Sequence, residues 1–333
     1  MRVLFIGGTG NISSACVERA LTKGYDITIL NRGNRPMEFS QPVKSIVGDR
    51  SDTAFMRQVA EEGRYDVVAE FVGFKPEQIE QDLAAFTGQV GQYIYISSAS
   101  AYQKPPNHYV ITESTPLYNP YWQYSRDKIA CEDRLVRAYR ETGFPITIVR
   151  PSYTYGPTWI PVGVGTHGYT IVGRVRRGQP IISQGDGSSL WVMTHHTDFA
   201  LGFVGLFGNA QAIGEAFHIT SDEALTWDQI YRTIARAAGR PDAEIIHIST
   251  DFIAGVYPEW GPGLYGDKAC SVVFDNSKIK RVVPEFRATV SFAEGVARSI
   301  AWHDADPARQ IIDEQNSAMQ DRLIALFRQA LRG

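Results

Sequence analysis

Residues 2–13 constrain the fold more than any other part of the chain. Residues 3–6 are a short apolar run rich in β-formers, which predicts a buried strand. Gly7, Gly8 and Gly10 follow at once, and apolar side chains then recur with the spacing of one helical face. This order of strand, glycine turn and helix holds a dinucleotide pyrophosphate, because the backbone can approach the phosphates and the helix N-terminus offers free N–H groups. The alternative is an ordinary tight turn.

Strands and helices alternate through the first half of the chain, which predicts βαβ units and a parallel sheet. After the first strand, the predicted strands are residues 26–30, 43–47, 66–72, 93–96 and 146–150, and the predicted helices are residues 52–62, 76–86 and 123–142. We therefore predict an α/β fold with a Rossmann-type doubly wound parallel sheet, in which ligands lie beyond the C-terminal strand ends. The dinucleotide-binding domain is expected over residues 1–160.

The alternation becomes less regular after residue 160, and a second part of the fold is expected over residues 161–333. Residues 190–220 are expected to return to the first domain. Helices are predicted at 167–177, 198–207, 226–238, 292–303 and 309–332, and strands at 180–183, 191–194, 216–219 and 244–248. Residues 257–266 are rich in Gly, Pro and aromatic residues, which predicts a loop over a substrate.

The second predicted strand ends in Asn31 and Arg32, with Arg35 nearby. An acidic residue at this place binds the ribose 2′-hydroxyl of NAD, whereas an arginine suits the 2′-phosphate of NADP. Because the acid is missing and two arginines are close, the sequence favours NADP slightly over NAD. A solvated basic loop is the alternative.

Tyr124 and Lys128 are four residues apart at the start of a predicted helix, so they share one face. A tyrosine is a poor base at its normal pKa of about 10, and a nearby ammonium is expected to lower that pKa because it favours the phenolate. The pair can then move a proton to or from a hydroxyl while a nicotinamide takes or gives a hydride. A serine hydroxyl from the end of the fifth strand would hold the substrate oxygen. The alternative is an exposed helix pair.

Together these features resemble the extended short-chain dehydrogenase/reductases, which include the NAD-dependent epimerases and dehydratases. The resemblance covers residues 1–300 and rests on Gly7-Gly8-Thr9-Gly10, Gly48-Asp49, Phe71-Val72-Gly73, Ser97-Ser98, Tyr124 with Lys128 and Glu132, Arg150-Pro151, Tyr155-Gly156-Pro157 and Gly185-Asp186-Gly187.

The resemblance implies that Tyr124 is the acid/base, that Lys128 is its partner and binds the nicotinamide ribose, and that Ser98 binds the substrate hydroxyl. It also implies a homodimer and a smaller C-terminal α/β substrate domain, over residues 161–333, and it places Asp49 near the adenine and Gly73 near the cofactor backbone. With Lys128, the residues expected to contact the cofactor are Gly7, Gly10, Asn11, Ile12, Asn31, Arg32, Arg35, Asp49, Arg50, Phe71, Val72, Gly73, Lys75, Ser97, Pro151 and Tyr153.

Three departures from the family pattern bear on ligand binding. The third glycine of the turn is Ser13, and Tyr153 stands where an asparagine is common. Trp191 replaces the arginine that grips the diphosphate in nucleotide-sugar enzymes, which removes a charge-assisted bidentate contact. Three arginines are candidates to take over that contact: Arg174, Arg176 and Arg177. The residues expected at the substrate are Ser100, Tyr153, Trp191 and Trp260.

Composition narrows the partners and the compartment. The formal net charge is −3 and no long Lys/Arg run occurs, so neither nucleic acid nor an acidic membrane surface is indicated. The three cysteines are far apart, which predicts reduced thiols in a cytoplasmic protein. The first predicted strand begins at residue 2, so no signal peptide is expected, and no apolar run reaches the roughly 20 residues of a membrane span. His195 and His196 are adjacent, but no cysteine or acid lies at a useful ligand spacing, so no metal site is predicted.

We predict an enzyme that uses NADP or NAD to oxidise or reduce a sugar or sugar-like hydroxyl, free or nucleotide-linked. Epimerisation through a transient keto form is favoured over simple reduction by an NADPH-dependent carbonyl reductase. The alternative from another class is a non-catalytic RNA-binding protein on the same fold. Residues 195–200, His195-His196-Thr197-Asp198-Phe199-Ala200, resemble the atypical branch containing the chloroplast stem-loop RNA-binding proteins. The intact Tyr124 and Lys128 and the lack of a basic patch argue against that alternative.

Overall fold

A seven-stranded parallel sheet lies at the centre of the computed structural model, which describes residues 1–35 and 37–332. Its strands are β1 (Arg2–Ile6), β2 (Asp26–Asn31), β3 (Lys44–Val47), β4 (Val67–Glu70), β5 (Gln92–Ile96), β7 (Ile146–Val149) and β11 (Ala216–Phe217). They follow the order β11-β7-β5-β4-β1-β2-β3 across the sheet. The predicted Rossmann-type fold is confirmed.

Helices cover both faces of this sheet and continue into the second half of the chain. They are α1 (Ser13–Thr22), α2 (Thr53–Gly63), α3 (Pro76–Phe86), α4 (Gln123–Thr142), α5 (Thr170–Arg176), α6 (His196–Gly205), α7 (Trp227–Ala237), α8 (Thr250–Val256), α9 (Gly261–Gly263), α10 (Ser277–Val282), α11 (Phe292–Asp304) and α12 (Glu314–Ala330). Three smaller sheets contain β6 (Val110–Ile111), β8 (Tyr153–Tyr155), β9 (Ile181–Gln184), β10 (Leu190–His195), β12 (Ala224–Thr226), β13 (Ile245–Ile248) and β14 (Val273–Phe274).

Strand β1 shows why the sheet has a core on each face. Val3 and Phe5 belong to one apolar cluster, whereas Leu4 and Ile6 belong to another, and all four are fully buried. Successive side chains of a strand point to opposite faces, so a parallel strand covered on both sides must be apolar throughout. The order of the strands reverses beside β1, since β2 lies on one side and β4 on the other. A ligand crevice is expected at that point.

The segment after residue 190 is divided between the sheets. Strand β10 pairs with β8 and β12 in a small mixed sheet. Helix α6 instead packs on α1, and β11 extends the large sheet beside β7. The boundary at residue 160 remains a prediction.

Two of the predicted elements are wrong. Residues 257–266 are not a loop but a series of short helical turns: Pro258–Trp260, α9 and Leu264–Lys268. Pro258 and Pro262 lie in the first turns of these helices, where a missing N–H costs nothing. The last helix begins at Glu314 rather than at residue 309, because Asp313 accepts a hydrogen bond from the backbone N–H of Asn316 and caps it there.

Candidate cofactor and active site

The glycine turn lies at the reversal point of the large sheet. Gly7 follows β1 with a φ of +91°, a backbone conformation that side chains disfavour. A Cβ at this position would come within 2.6 Å of Cγ1 of Val72, in the segment after β4. Glycine is therefore required both by the conformation of the turn and by the close approach of the two strand ends.

Ser13, which stands in the place of the third glycine, stabilises this turn through two hydrogen bonds. Its hydroxyl donates to the carbonyl oxygen of Gly7 at 2.7 Å and accepts from the N–H of Gly10 at 2.9 Å. The side chain is 2% exposed. The departure from the family pattern thus ties the two ends of the glycine turn together.

Two adjoining cavities open beyond the C-terminal ends of the strands, with volumes of about 730 Å³ and about 640 Å³. They share Gly7, Gly10, Arg35, Val72 and Phe74, so they form one cleft. The larger cavity is also lined by the predicted residues Asn11, Ile12, Phe71, Ser97, Ser98, Ser100, Tyr124, Lys128, Pro151, Tyr153 and Trp260. The smaller is also lined by the predicted residues Asn31, Arg32, Asp49 and Arg50.

Arg50 forms a buried ion cluster under the smaller cavity. Its Nη2 lies 2.7 Å from Oδ2 of Asp82 and 3.2 Å from Oε2 of Glu70. Burial raises the pKa of the Glu70 carboxyl to about 8, although the Arg50 charge opposes this shift. The other oxygen of Glu70 accepts from the N–H of Val72, so the cluster orients the segment that faces the glycine turn.

Several polar atoms of the cleft fit a dinucleotide. In the described part of the chain, Ser97 Oγ and Arg50 Nη1 are buried without a hydrogen-bond partner, and both residues line the cleft. Buried polar groups are normally satisfied, so these atoms suit a polar ligand. Together with the glycine turn at Gly7, these residues fit a nicotinamide dinucleotide, which would supply hydride transfer when bound.

Tyr124 stands at the start of α4, on the wall of the larger cavity. Its ring packs against Trp122 at 4.9 Å and Phe74 at 6.4 Å between centroids. Burial raises the pKa of the phenol to about 12, and the neighbouring Ser98 hydroxyl only partly opposes this. The expectation of a lowered tyrosine pKa is wrong for this structure, because desolvation outweighs the stabilisation of the phenolate.

The ammonium group of Lys128 is held by two backbone carbonyl groups. Its Nζ donates to the carbonyl oxygens of Gly73 at 2.8 Å and Ile96 at 2.7 Å, and lies 5.9 Å from the Tyr124 ring centroid. Burial lowers the pKa of Lys128 to about 8. The ammonium is therefore held between the ends of two strands, with one donor left for a ligand.

The serines at the end of β5 form a chain of hydroxyls. Ser125 on α4 donates to Ser100 Oγ at 2.7 Å, and Ser100 Oγ lies 2.9 Å from Ser98 Oγ. Ser98 also accepts from the N–H of Ser100 and so caps the short turn Ala99–Ala101. The chain orients the Ser98 hydroxyl beside Tyr124, and nothing in the sequence indicated Ser125.

Three predicted contacts lie outside the cleft lining. Trp191 is 2% exposed and packs in a core against Trp227, with ring centroids 5.7 Å apart, so its assignment to the substrate is wrong. Gly73 instead uses its carbonyl to bind Lys128. Lys75 is exposed at the start of α3.

The three arginines proposed to replace the missing diphosphate contact are engaged elsewhere. Arg174 is buried and binds Ser317 and Asp321 on α12. Arg176 and Arg177 pair with Asp304 and Glu314, respectively. None of the three lines the larger cavity in the described chain.

The residues of the larger cavity that were not predicted as site residues from the sequence include Trp122, Trp159, His167, Asp267 and Lys268. Trp122 is adjacent to the Tyr124–Lys128 motif in the sequence, but no sequence pattern pointed to the others.

His195 and His196 make structural contacts: His195 Nδ1 lies 2.7 Å from Thr197 Oγ1, and His196 donates to the carbonyl oxygen of Asn11 at 3.0 Å. Within the described residues, no cluster of His, Cys, Asp and Glu is placed to hold a metal ion.

Fold and cleft together define a dinucleotide-binding protein of the Rossmann type. The family model for the NAD dependent epimerase/dehydratase family matches residues 3–220. The chain belongs to this family, which confirms the predicted resemblance and, at the level of the family, the prediction of an enzyme. No helix within the described residues has the length and apolar character needed to cross a bilayer.

Two curated proteins are similar to this chain in sequence. The chloroplast stem-loop binding protein of 41 kDa b from Arabidopsis thaliana is 28% identical, over 74% of this chain and 65% of its own length. The chain thus spans just under two thirds of that relative. The 2′-dehydrokanamycin reductase of Streptomyces kanamyceticus is 26% identical, over 72% of this chain and 68% of its own length.

A solved structure shares the fold over nearly the whole chain. UDP-glucose 4-epimerase from Bifidobacterium longum, in complex with NAD⁺ and UDP, has a TM-score of 0.75 and 22% identity. The match covers 93% of this chain and 100% of that chain.

Proposed function

We propose that this protein is an NAD(P)-dependent oxidoreductase or epimerase that acts on a sugar or sugar-like hydroxyl. The observation that carries the proposal is that Tyr124, Ser98 and Lys128 line one cavity of a cleft that begins at the glycine turn. The phenol is neutral, so it suits donation of a proton to a carbonyl oxygen as a hydride arrives at the carbon. Ser98 holds that oxygen, and Lys128 orients the segment after β4.

The form of the bound cofactor tests this proposal. We expect the purified protein to bind NAD(P), and the ultraviolet spectrum and mass of any cofactor that copurifies should identify it. A retained, recycled nicotinamide supports epimerisation, and an exchangeable one supports simple reduction. A protein that binds neither NAD nor NADP contradicts the proposal.

RNA binding is the second candidate function, and the similarity to the Arabidopsis stem-loop binding protein favours it. The net charge of −3 and the tyrosine–serine pair in the cleft favour the enzyme. Filter binding to a stem-loop RNA over a range of salt concentrations separates the two, because phosphate contacts weaken steeply with salt. The predicted homodimer and cytoplasmic location remain proposals, and light scattering of the purified protein checks the first.

We further propose that NADP is preferred over NAD. Arg32 lines the smaller cavity next to Asn31, and the described residues 31–35 at the end of β2 include no acid to bind a ribose hydroxyl; the carboxylate of this cavity, Asp49, follows β3. Arg32→Ala is therefore expected to weaken NADP binding about tenfold, because a charged hydrogen bond contributes about 1.5–3 kcal/mol, and to change NAD binding little. Titration of both cofactors by fluorescence quenching measures this. Arg140→Ala, on the last turn of α4 and outside both cavities, is the matched control. An equal effect of Arg32→Ala on the two cofactors contradicts the preference.

We also expect that the enzyme does not dehydrate its substrate. The family's 4,6-dehydratases carry an Asp-Glu pair directly after the strand-end hydroxyl, and this chain has Ala99 and Ser100 there. Glu113, the acid nearest in sequence, faces His218 at 3.7 Å and does not line the larger cavity in the described structure. Incubation with candidate sugars in heavy-oxygen water should give no product lighter by one water. A dehydrated product would identify Asp267, which does line the cavity, as the acid to substitute first.

A further inference from the structure

The part of the larger cavity beyond Tyr124 is lined mainly by aromatic rings. We call it the aromatic half and define it by Trp122, Tyr153, Trp159, Trp260, Asp267 and Lys268. Trp159 packs against the ring of His167 at 4.1 Å, and Trp260 against Tyr257 at 4.7 Å. A pocket of rigid aromatic walls with a few polar groups sets the orientation of a ligand mainly through its shape.

The one lysine of the aromatic half already has a partner within the described structure. Lys268 Nζ lies 3.5 Å from Oδ2 of Asp267, and over the rings of Trp122 at 5.5 Å and Tyr153 at 5.9 Å. Burial and the Lys268 charge lower the pKa of His167 to about 4, so that imidazole is neutral. With the Glu259 carboxylate at the mouth, the aromatic half carries no surplus of positive charge.

A nucleoside diphosphate needs a surplus of positive charge around its phosphates. Its diphosphate is anionic and is held best by the planar fork of arginine. Arg35 is the arginine among the described lining residues, and it also lines the smaller cavity at the nucleotide end of the cleft. The three arginines of α5 and its C-terminus are bound to acids on α11 and α12. A diphosphate in the aromatic half would therefore face carboxylates without a free guanidinium.

We propose, on the basis of the proposed function, that the substrate is a carbohydrate without a nucleoside diphosphate. Its ring lies against the tryptophan faces, and its hydroxyl or ammonium groups donate to Oδ1 of Asp267, since Lys268 contacts Oδ2 and Oδ1 has no hydrogen-bond partner among the described residues. An ammonium fits both features, because it gains from a carboxylate and from the face of a tryptophan.

The experiment uses the full-length protein saturated with the cofactor that it binds. Four probes are titrated by calorimetry and by tryptophan fluorescence: UDP, dTDP, methyl α-glucoside and the 2-amino-2-deoxy form of that glucoside. We expect saturable binding of the two glycosides and none of the two nucleotides at about 1 mM, a concentration that detects binding free energies beyond about −4 kcal/mol. Saturable binding of UDP or dTDP, or no binding of either glycoside at about 100 mM, overturns the inference.

Three variants locate the binding. Asp267→Asn is expected to weaken the aminated glycoside about tenfold and the neutral glycoside less, since only the first loses an ion pair. An unchanged preference between the two glycosides contradicts the role of Asp267.

Trp260→Phe is expected to remove part of the fluorescence change that the glycosides cause. Trp302→Phe is expected to keep that change, because Trp302 packs on Arg309 outside the cavity. Failure of the cofactor to bind contradicts the proposed function, whereas nucleotide binding to the cofactor-loaded protein contradicts only this inference.

Discussion

Tyr124→Phe is expected to lower turnover by about 10²- to 10⁴-fold, the usual contribution of a positioned proton donor. The phenol lies on the wall of the cavity that Ser98 also lines, and in the proposed function it donates the proton as the hydride arrives. The ring packs between Trp122 and Phe74 and keeps both contacts as phenylalanine. Cofactor affinity should therefore change little, and steady-state rates together with cofactor titration measure the two effects separately.

Tyr121→Phe provides the matched control for this prediction. Tyr121 is an exposed tyrosine three residues earlier, its ring lies against Tyr265 and it does not line the larger cavity. The control should retain full activity. Full activity of Tyr124→Phe itself would show that the proton comes from another group.

Gly7→Ala is expected to have the second large effect, a loss of cofactor affinity of tenfold or more, which corresponds to at least about 1.4 kcal/mol. The new methyl group would lie 2.6 Å from Cγ1 of Val72, so the ends of β1 and β4 must separate where the pyrophosphate is expected to bind. The φ of +91° adds backbone strain of about 1–2 kcal/mol for a residue with a side chain. Calorimetric titration of the cofactor and the free energy of unfolding in urea measure the two consequences.

Gly24→Ala separates strain from crowding. Gly24 also has a positive φ, +71°, but a Cβ there meets no atom within 4 Å. The control should lose stability from strain while keeping cofactor affinity. Equal losses of affinity in the two variants would mean that the glycine turn does not contact the cofactor.

Local sequence determined the first half of this protein to a large extent. The apolar run of β1 and the three glycines predicted the strand and the turn, because a parallel strand buried on both faces needs apolar residues throughout. Helices α3 and α4 begin and end at the predicted residues, 76–86 and 123–142. The strand-end position of Ser98 predicted that it faces the crevice, since parallel strands end at the same edge. Tyr124 and Lys128, four residues apart on α4, line the same cavity.

Only the tertiary structure decided the charge states and the substrate end of the cleft. The four-residue spacing predicted a tyrosine with a lowered pKa, but burial raises that pKa to about 12, and burial is a property of the packed chain rather than of the motif. The sequence placed Trp191 at the substrate, whereas the second core buries it against Trp227. Asp267 and Lys268 reach the cleft from more than a hundred residues beyond Tyr124, because short helical turns replace the predicted loop and carry them there. Such contacts depend on how distant elements pack, and local periodicity carries no information about them.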